Sequence, residues 1–307
     1  MNRLEANISL FIITFFAAIQ YVFLKNIPDS VSHFAYLSIT NAVGFILIFG
    51  VFFGELFRLD KAQVGQSLLL SLELFGFNIF MLLGSKGVDA SVSACVLSAY
   101  FIFIPLISLI VFKKKPEKNI LVAIAVAFLG ILMFMGFRFK SLISINVLYL
   151  WIADVFFAVY IITTERLTAK SNPSILAMGQ LFFNMVFAIA AWLIQSALGK
   201  SALDIPNDPS FWGSVLFISF FIRGLYGVVQ IYAQRYVSAL NTSLIFSTEI
   251  LMTMLMSPVL ASLFGTEKEN ITALKLFAGV LLIAGILIAD PAVTKKFGSS
   301  QKRGKKT

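Results

Sequence analysis

Of the 307 residues, 59% are hydrophobic and only 13% are charged, 33 are Phe, and the mean hydropathy is +0.92. A soluble domain of that composition would lack a polar shell, so the chain belongs in a lipid bilayer. One cysteine (Cys95) and one histidine (His33) exclude an intrachain disulfide framework and make a thiolate or imidazole zinc site untenable.

A hydrocarbon core about 30 Å thick takes about 20 apolar residues. The first candidate span is Leu4–Leu24. It resembles a signal sequence over Leu10–Ile19, but its apolar run is long enough to cross, so no cleavage is expected. Phe34–Phe57, Val64–Leu83, Ala90–Phe112 and Asn119–Phe137 follow. Beyond them lie Ser144–Thr164, Ile175–Ala197, Ser210–Tyr232, Ala239–Phe264 and Thr272–Ala289, which makes ten spans. The breaks carry turn chemistry, as at Asn26–Ser32, Gly84–Asp89, Lys200–Pro209 and Gly265–Asn270.

Charge position sets the orientation. With the N-terminus in the cytoplasm, sixteen Lys and Arg fall inside and seven outside, while Arg223 lies within a span. The inside set includes Arg58, Lys61, the Lys113–Lys118 cluster, Arg166, Arg235 and the tail. This bias places both termini in the cytoplasm, and it accounts for most of the +9 net charge without a nucleic-acid partner. The expected location is a bacterial cytoplasmic (inner) membrane. The basic tail, residues 295–307, is expected to be disordered and to contact anionic lipid.

The chain also matches itself at an offset of 149 residues. Ala90 meets Ala239, Ser98 meets Ser247, Gly130 meets Gly279 and Gly136 meets Gly285. The expected units are residues 1–140 and 141–294, five spans each. An odd number of spans turns the second unit upside down relative to the first. The expected fold is therefore an all-α membrane protein, two inverted five-helix repeats around a central cavity, an arrangement that suits alternating access.

Several stretches carry a resemblance: Leu97-Ser-Ala-Tyr-Phe-Ile-Phe-Ile-Pro-Leu106, Lys113-Lys-Lys-Pro116, Tyr160-Ile-Ile-Thr-Thr-Glu-Arg166, Ala233-Gln-Arg-Tyr-Val-Ser238 and Ser247-Thr-Glu249. The sequence resembles the drug/metabolite transporter superfamily, in particular the EamA-type exporters, over nearly its whole length. The resemblance implies a ten-helix basket whose cavity is lined by spans one, three, four, six, eight and nine, with five and ten outside. The chain departs from the pattern at an arginine of span two, where it has Thr40 or Asn41, and after Glu249, where Ile250 replaces a proline.

Four ionisable residues lie well inside the spans: Glu73, Asp154, Arg223 and Glu249. Each costs at least about 2.5–3.5 kcal/mol on insertion scales, so each faces protein or a wet cavity. Arg223, Tyr226, Gly227 and Gln230 share one helical face. Glu73 maps next to Arg223 under the repeat, which suggests an ion pair between halves. Thr242 and Glu249, with repeat mates Ser93 and Tyr100, suggest two polar stripes forming a cavity wall. Ionisation of all four charges would leave −2, so a protonated carboxyl or a balancing cation is expected. The substrate-binding or coupling candidates are Glu73, Tyr100, Asp154, Arg223, Tyr226, Gln230, Thr242 and Glu249. Gln20, Asn78, Tyr160, Gln180 and Asn184 suit interhelical hydrogen bonds, and Tyr21, Trp151 and Trp212 suit interface anchoring. Pro105 and Pro258 mark kinks or hinges. Gly130, Gly136, Gly279 and Gly285 suit close helix approach.

The expected function is a secondary transporter, an exporter of amino acids, amines or related metabolites, with a proton as the coupling ion. Import or facilitated passage of a nucleotide-like metabolite is the alternative, and a non-transporting membrane scaffold is a weaker one. No intramembrane nucleophile–base pair or phosphate-cradling loop occurs, so neither an enzyme nor an ATP-driven pump is expected. No cofactor is implied. The expected partners are a small-molecule substrate, lipid and a proton, in a monomer or homodimer.

Overall fold

The computed structural model describes residues 1–25, 27–28, 30–113, 118–137, 143–199, 206–264 and 270–289. The Gly265-Thr-Glu267 stretch, most of the Lys113–Pro116 motif, the loops around Arg138 and Lys200, and the basic tail lie outside them.

Spans one to three are the helices Arg3–Lys25, His33–Leu56 and Lys61–Ser85. Span three starts at a reciprocal cap, where Asp60 Oδ1 accepts from the Gln63 amide at 2.7 Å and Gln63 Oε1 accepts from the Asp60 amide at 3.1 Å. Spans five, six, seven and ten are Lys118–Phe134, Ile145–Thr168, Pro173–Ala197 and Ala273–Ala289. Among the described residues eight spans are long and apolar enough to cross a bilayer, and spans five and ten are shorter apolar helices. At 17 residues each, these two reach about 25 Å.

Among the described residues four spans are interrupted, the simplest being span two, which kinks at Phe52 with φ −116° and ψ 22°. Span four is Ala90–Leu97 followed by Tyr100–Phe112, and span nine is Ala239–Phe246 followed by Glu249–Phe264. Both breaks fall at the same repeat position, 149 residues apart. The bonding at each repeats too. Ser98 Oγ donates to the Ala94 carbonyl at 2.6 Å and Ser247 Oγ to the Ser243 carbonyl at 2.8 Å. The Ala99 amide reaches Val96 at 2.8 Å and the Thr248 amide reaches Ile245 at 3.1 Å, three residues back in each case. The tightened turn interrupts the α-helical ladder. Pro105 and Pro258, the expected kink sites, sit inside the second helices of these spans. Span eight runs Pro209–Phe217, then a π-helix over Ile218–Tyr226, then Gly227–Gln234.

The packing obeys the repeat. Span two lies on span seven, four on nine and five on ten, each against its own mate. Span three packs on six, as its mate eight packs on one. Ser247 Oγ also donates to the Ser98 carbonyl at 3.2 Å, so repeat mates touch where the pseudo-twofold axis passes. Spans five and ten approach so closely that a Cβ on Gly130 would lie 3.0 Å from the Leu282 nitrogen. One on Gly285 would lie 2.8 Å from the Ala127 nitrogen. Gly279 faces span nine instead, and Gly136 has φ +63° in the turn after span five. Gly136 thus serves chain reversal and not helix approach.

Two apolar clusters occupy opposite ends of the bundle. At the end where the chain starts, Ala6, Leu10 and Ile13 pack with Tyr160, Ile161 and Phe246. At the other end, Val22, Leu24 and Leu37 pack with Met81, Leu82 and Val215. Phe77 and Tyr226 touch both clusters.

Candidate functional site

Between the clusters lies a cavity whose free space, counted together with its opening to solvent, is about 670 Å³. Five of the eight candidates line it: Tyr100, Arg223, Tyr226, Gln230 and Glu249. Spans two and seven also reach it, through Asn41, Leu181 and Asn184, so the wall draws on more helices than the resemblance implied. Spans five and ten contribute nothing to its lining among the described residues.

Arg223 projects from the π-helix of span eight. Span two comes close to this segment at Gly44, where a Cβ would lie 2.6 Å from the Ser219 carbonyl oxygen and 2.9 Å from the Arg223 Cβ. Arg223 Nη1 donates to Asn78 Oδ1, while its Nε and Nη2 have no protein partner. The expected ion pair with Glu73 does not form. Glu73 Oε1 instead accepts from Thr163 Oγ1 at 2.9 Å, tying span three to span six outside the cavity lining.

Glu249 opens the second helix of span nine. A carboxylate there meets the positive end of a helix dipole, and broken helices are a recurrent way of aiming helix ends at a carrier's cargo. Its carboxylate lies beside Tyr21 and Gln20 of span one, and its Oε1 has no protein partner. Tyr100, the repeat mate of Glu249, donates to the Ser243 carbonyl at 3.2 Å.

Thr242 and Asp154 lie off the cavity, both fully buried. The stripe expected from Thr242 to Glu249 fails because the break at residues 247–248 interrupts the helical register between them. Asp154 sits behind the wall, in electrostatic range of Tyr21, Cys95 and Tyr100.

Four cavity residues were assigned other roles from sequence. Tyr21 is buried in the wall and not at an interface, and Gln20, Asn78 and Asn184 line the cavity. Gln180 holds to the expected structural part, accepting from the Tyr160 hydroxyl at 3.1 Å. The sequence signal for the four was a polar side chain within a span, which does not by itself separate a cavity from a helix contact.

The polar atoms of the cavity are under-satisfied as a group. Gln20 Oε1, Asn184 Oδ1, Gln230 Oε1 and Glu249 Oε1 join the free nitrogens of Arg223 in having no protein partner. Each such buried group costs about 1–3 kcal/mol if left unbonded. All of these residues line the one cavity, so it holds buried polar atoms that the protein itself does not satisfy. Aromatic rings form the apolar part of the wall. Phe77 stacks on Phe157 with centroids 4.4 Å apart, and Tyr100 meets Phe157 edge-on at 5.0 Å.

The family model of the EamA-like transporter family matches residues 4–136 and again 144–289, one match in each half. The chain belongs to the EamA-like transporter family. An uncharacterized transporter of Archaeoglobus fulgidus is 22% identical over 292 residues, covering 94% of this chain and 87% of its own. A solved crystal structure superposes with a TM-score of 0.64 at 14% identity, over 95% of this chain and 97% of that one, which shows the fold alone. This EamA-like chain is thus a multi-pass membrane transporter, acting on a small molecule within the bilayer.

Proposed function

We propose that this EamA-like protein is a secondary transporter that exports zwitterionic metabolites, neutral α-amino acids with large or aromatic side chains, by alternating access. The observation that carries this reading is that one buried cavity holds both Arg223 and Glu249, each with polar atoms left unbonded by protein. A fixed guanidinium suits a carboxylate and a fixed carboxylate suits an ammonium. Phe77, Tyr100 and Phe157 offer flat apolar surface for the side chain. A simple cation would leave Arg223 opposed, and an anion would leave Glu249 opposed.

The fold supports alternating access, since two inverted halves with an apolar plug at each end can expose the central site to one side at a time. A proton is the proposed coupling ion, and the protein is proposed to catalyse no chemistry of its own. The positive-charge bias supports a cytoplasmic-membrane location with both termini in the cytoplasm.

The test is counterflow in proteoliposomes. Vesicles loaded with unlabelled phenylalanine should take up labelled phenylalanine, with lesser exchange of phenethylamine and of phenylpropionate, which each lack one charge. Equal exchange of all three, or none with any neutral amino acid, would sink the zwitterion assignment.

A further inference from the structure

We propose that Asp154 is the proton-binding group of this transporter and that it is spatially separate from the substrate cavity, so that Glu249 binds cargo while Asp154 couples. The inference rests on the transporter reading above and deepens it. Asp154 lies mid-way along span six at 0% exposure, and neither carboxyl oxygen has a hydrogen-bond partner. Tyr100, and Phe157 one turn along span six, belong to the cavity wall that Asp154 lies behind.

The groups that face Asp154 decide what it can bind. Span one contributes Tyr21, and span four contributes Cys95 and Tyr100, none of them a cation at neutral pH. Span nine places its own carboxylate, Glu249, in the cavity. Glu73 of span three is bonded to Thr163, nine residues further along span six. Lys275 of span ten lies in electrostatic range of Cys95 and holds its ammonium 5.6 Å from the centre of the Phe134 ring. A metal ion would need several oxygen ligands, and no cluster of three or more acidic, His or Cys residues exists among the described residues. A proton needs only one oxygen. An ionised carboxylate buried without a partner is heavily penalised, and its neutral form is not. The site as built therefore suits the protonated carboxyl.

Tyr100 lines the cavity and lies near both Glu249 and Asp154, with its hydroxyl donated to the Ser243 carbonyl at 3.2 Å. In the transport cycle Asp154 takes one proton from water on one side and, once the bundle has opened to the other, returns it to water there. The carboxylate so formed must then meet water or a new partner, which is what links deprotonation to the change of access.

The full chain in proteoliposomes tests this. Asp154 is the only aspartate within the predicted spans, so aspartate-selective carbon-13 labelling assigns its infrared signal. The expected result at neutral pH is a protonated-carboxyl band that shifts with the label. Its absence overturns the proposal, and this arm uses the wild-type chain, so it stands even where a variant fails to fold. The second arm compares two fluxes of labelled phenylalanine. In Asp154→Asn the pH-gradient-driven accumulation should fall to the protein-free level while counterflow persists, so their ratio collapses, and the ratio should recover in Asp154→Glu. A wild-type ratio in Asp154→Asn overturns the proposal. No phenylalanine counterflow in the wild-type chain would instead count against the substrate reading, and the infrared arm would still decide Asp154.

Discussion

Arg223 and Glu249 differ from the other intramembrane charges in keeping bonding capacity open inside the cavity. A hydrogen bond to a charged group contributes about 1.5–3 kcal/mol. Arg223→Gln and Glu249→Gln should therefore each weaken phenylalanine binding by about tenfold to a hundredfold, measured on purified protein with labelled ligand. Unchanged affinity in both would mean that the cavity charges do not touch cargo. Glu73 stands in the opposite position, since its carboxylate is met by Thr163 outside the cavity lining. Thr163→Val should lower the melting temperature, because it removes the partner of Oε1 beside an Oε2 that already has none, at about 1–3 kcal/mol. Glu73→Gln keeps an acceptor for Thr163 without the charge, so it should leave phenylalanine counterflow intact and melt no lower than the wild-type chain. Lost counterflow at an unchanged melting temperature would make Glu73 a transport residue.

At the scale of the helices, the spans were legible because a bilayer rewards one simple pattern, an apolar run of fixed length between polar turns. The repeat was legible for a related reason, as mates such as Gly130 and Gly279 survive at a constant offset. The interruptions were not. Prolines advertise a missing amide, yet the breaks at residues 98–99 and 247–248 are turns tightened to bonds three residues back, and the serines there back-bond as Ser71 does inside unbroken span three. The π-helix that presents Arg223 was hidden as well, because its surroundings depend on the close approach of span two at Gly44. Arg223, Tyr226, Gly227 and Gln230 all line the cavity, whereas the Thr242–Glu249 stripe is interrupted by the break at residues 247–248. Close approach also gives a prediction for spans five and ten. Gly130→Leu would drive a side chain into the span-ten backbone at Leu282, 3.0 Å from the ideal Cβ position. Backbone in a helix yields little, so overpacking of about 1–3 kcal/mol is expected. Melting of the purified protein should fall accordingly, while phenylalanine affinity holds, because neither span lines the cavity among the described residues. A full loss of affinity without a change in melting would show that the span five and ten pair reaches the site.

For the whole molecule, the two apolar clusters define what must move. With Phe77 and Tyr226 touching both, packed side chains border the cavity toward each end. Packed interfaces switch between discrete arrangements more readily than they stretch. Opening toward one side therefore requires one cluster to part while the other stays packed. Spans one and eight border both clusters and offer exposed label sites at each end. Glu5 and Tyr236 are exposed where span one begins and span eight ends, and Ser30 and Asp208 are exposed beyond their opposite ends. Spin labels at Glu5 and Tyr236 should give two distance populations in proteoliposomes. Labels at Ser30 and Asp208 should also give two, and the weights of the two pairs should move in opposite directions when saturating phenylalanine is added. A ligand shifts such an equilibrium only by its differential affinity for the two states, so the size of the weight change reads that difference directly. If both pairs lengthened together, or neither responded, the halves would not be exchanging access about a central site. The inverted architecture would then have to be explained without a rocking motion.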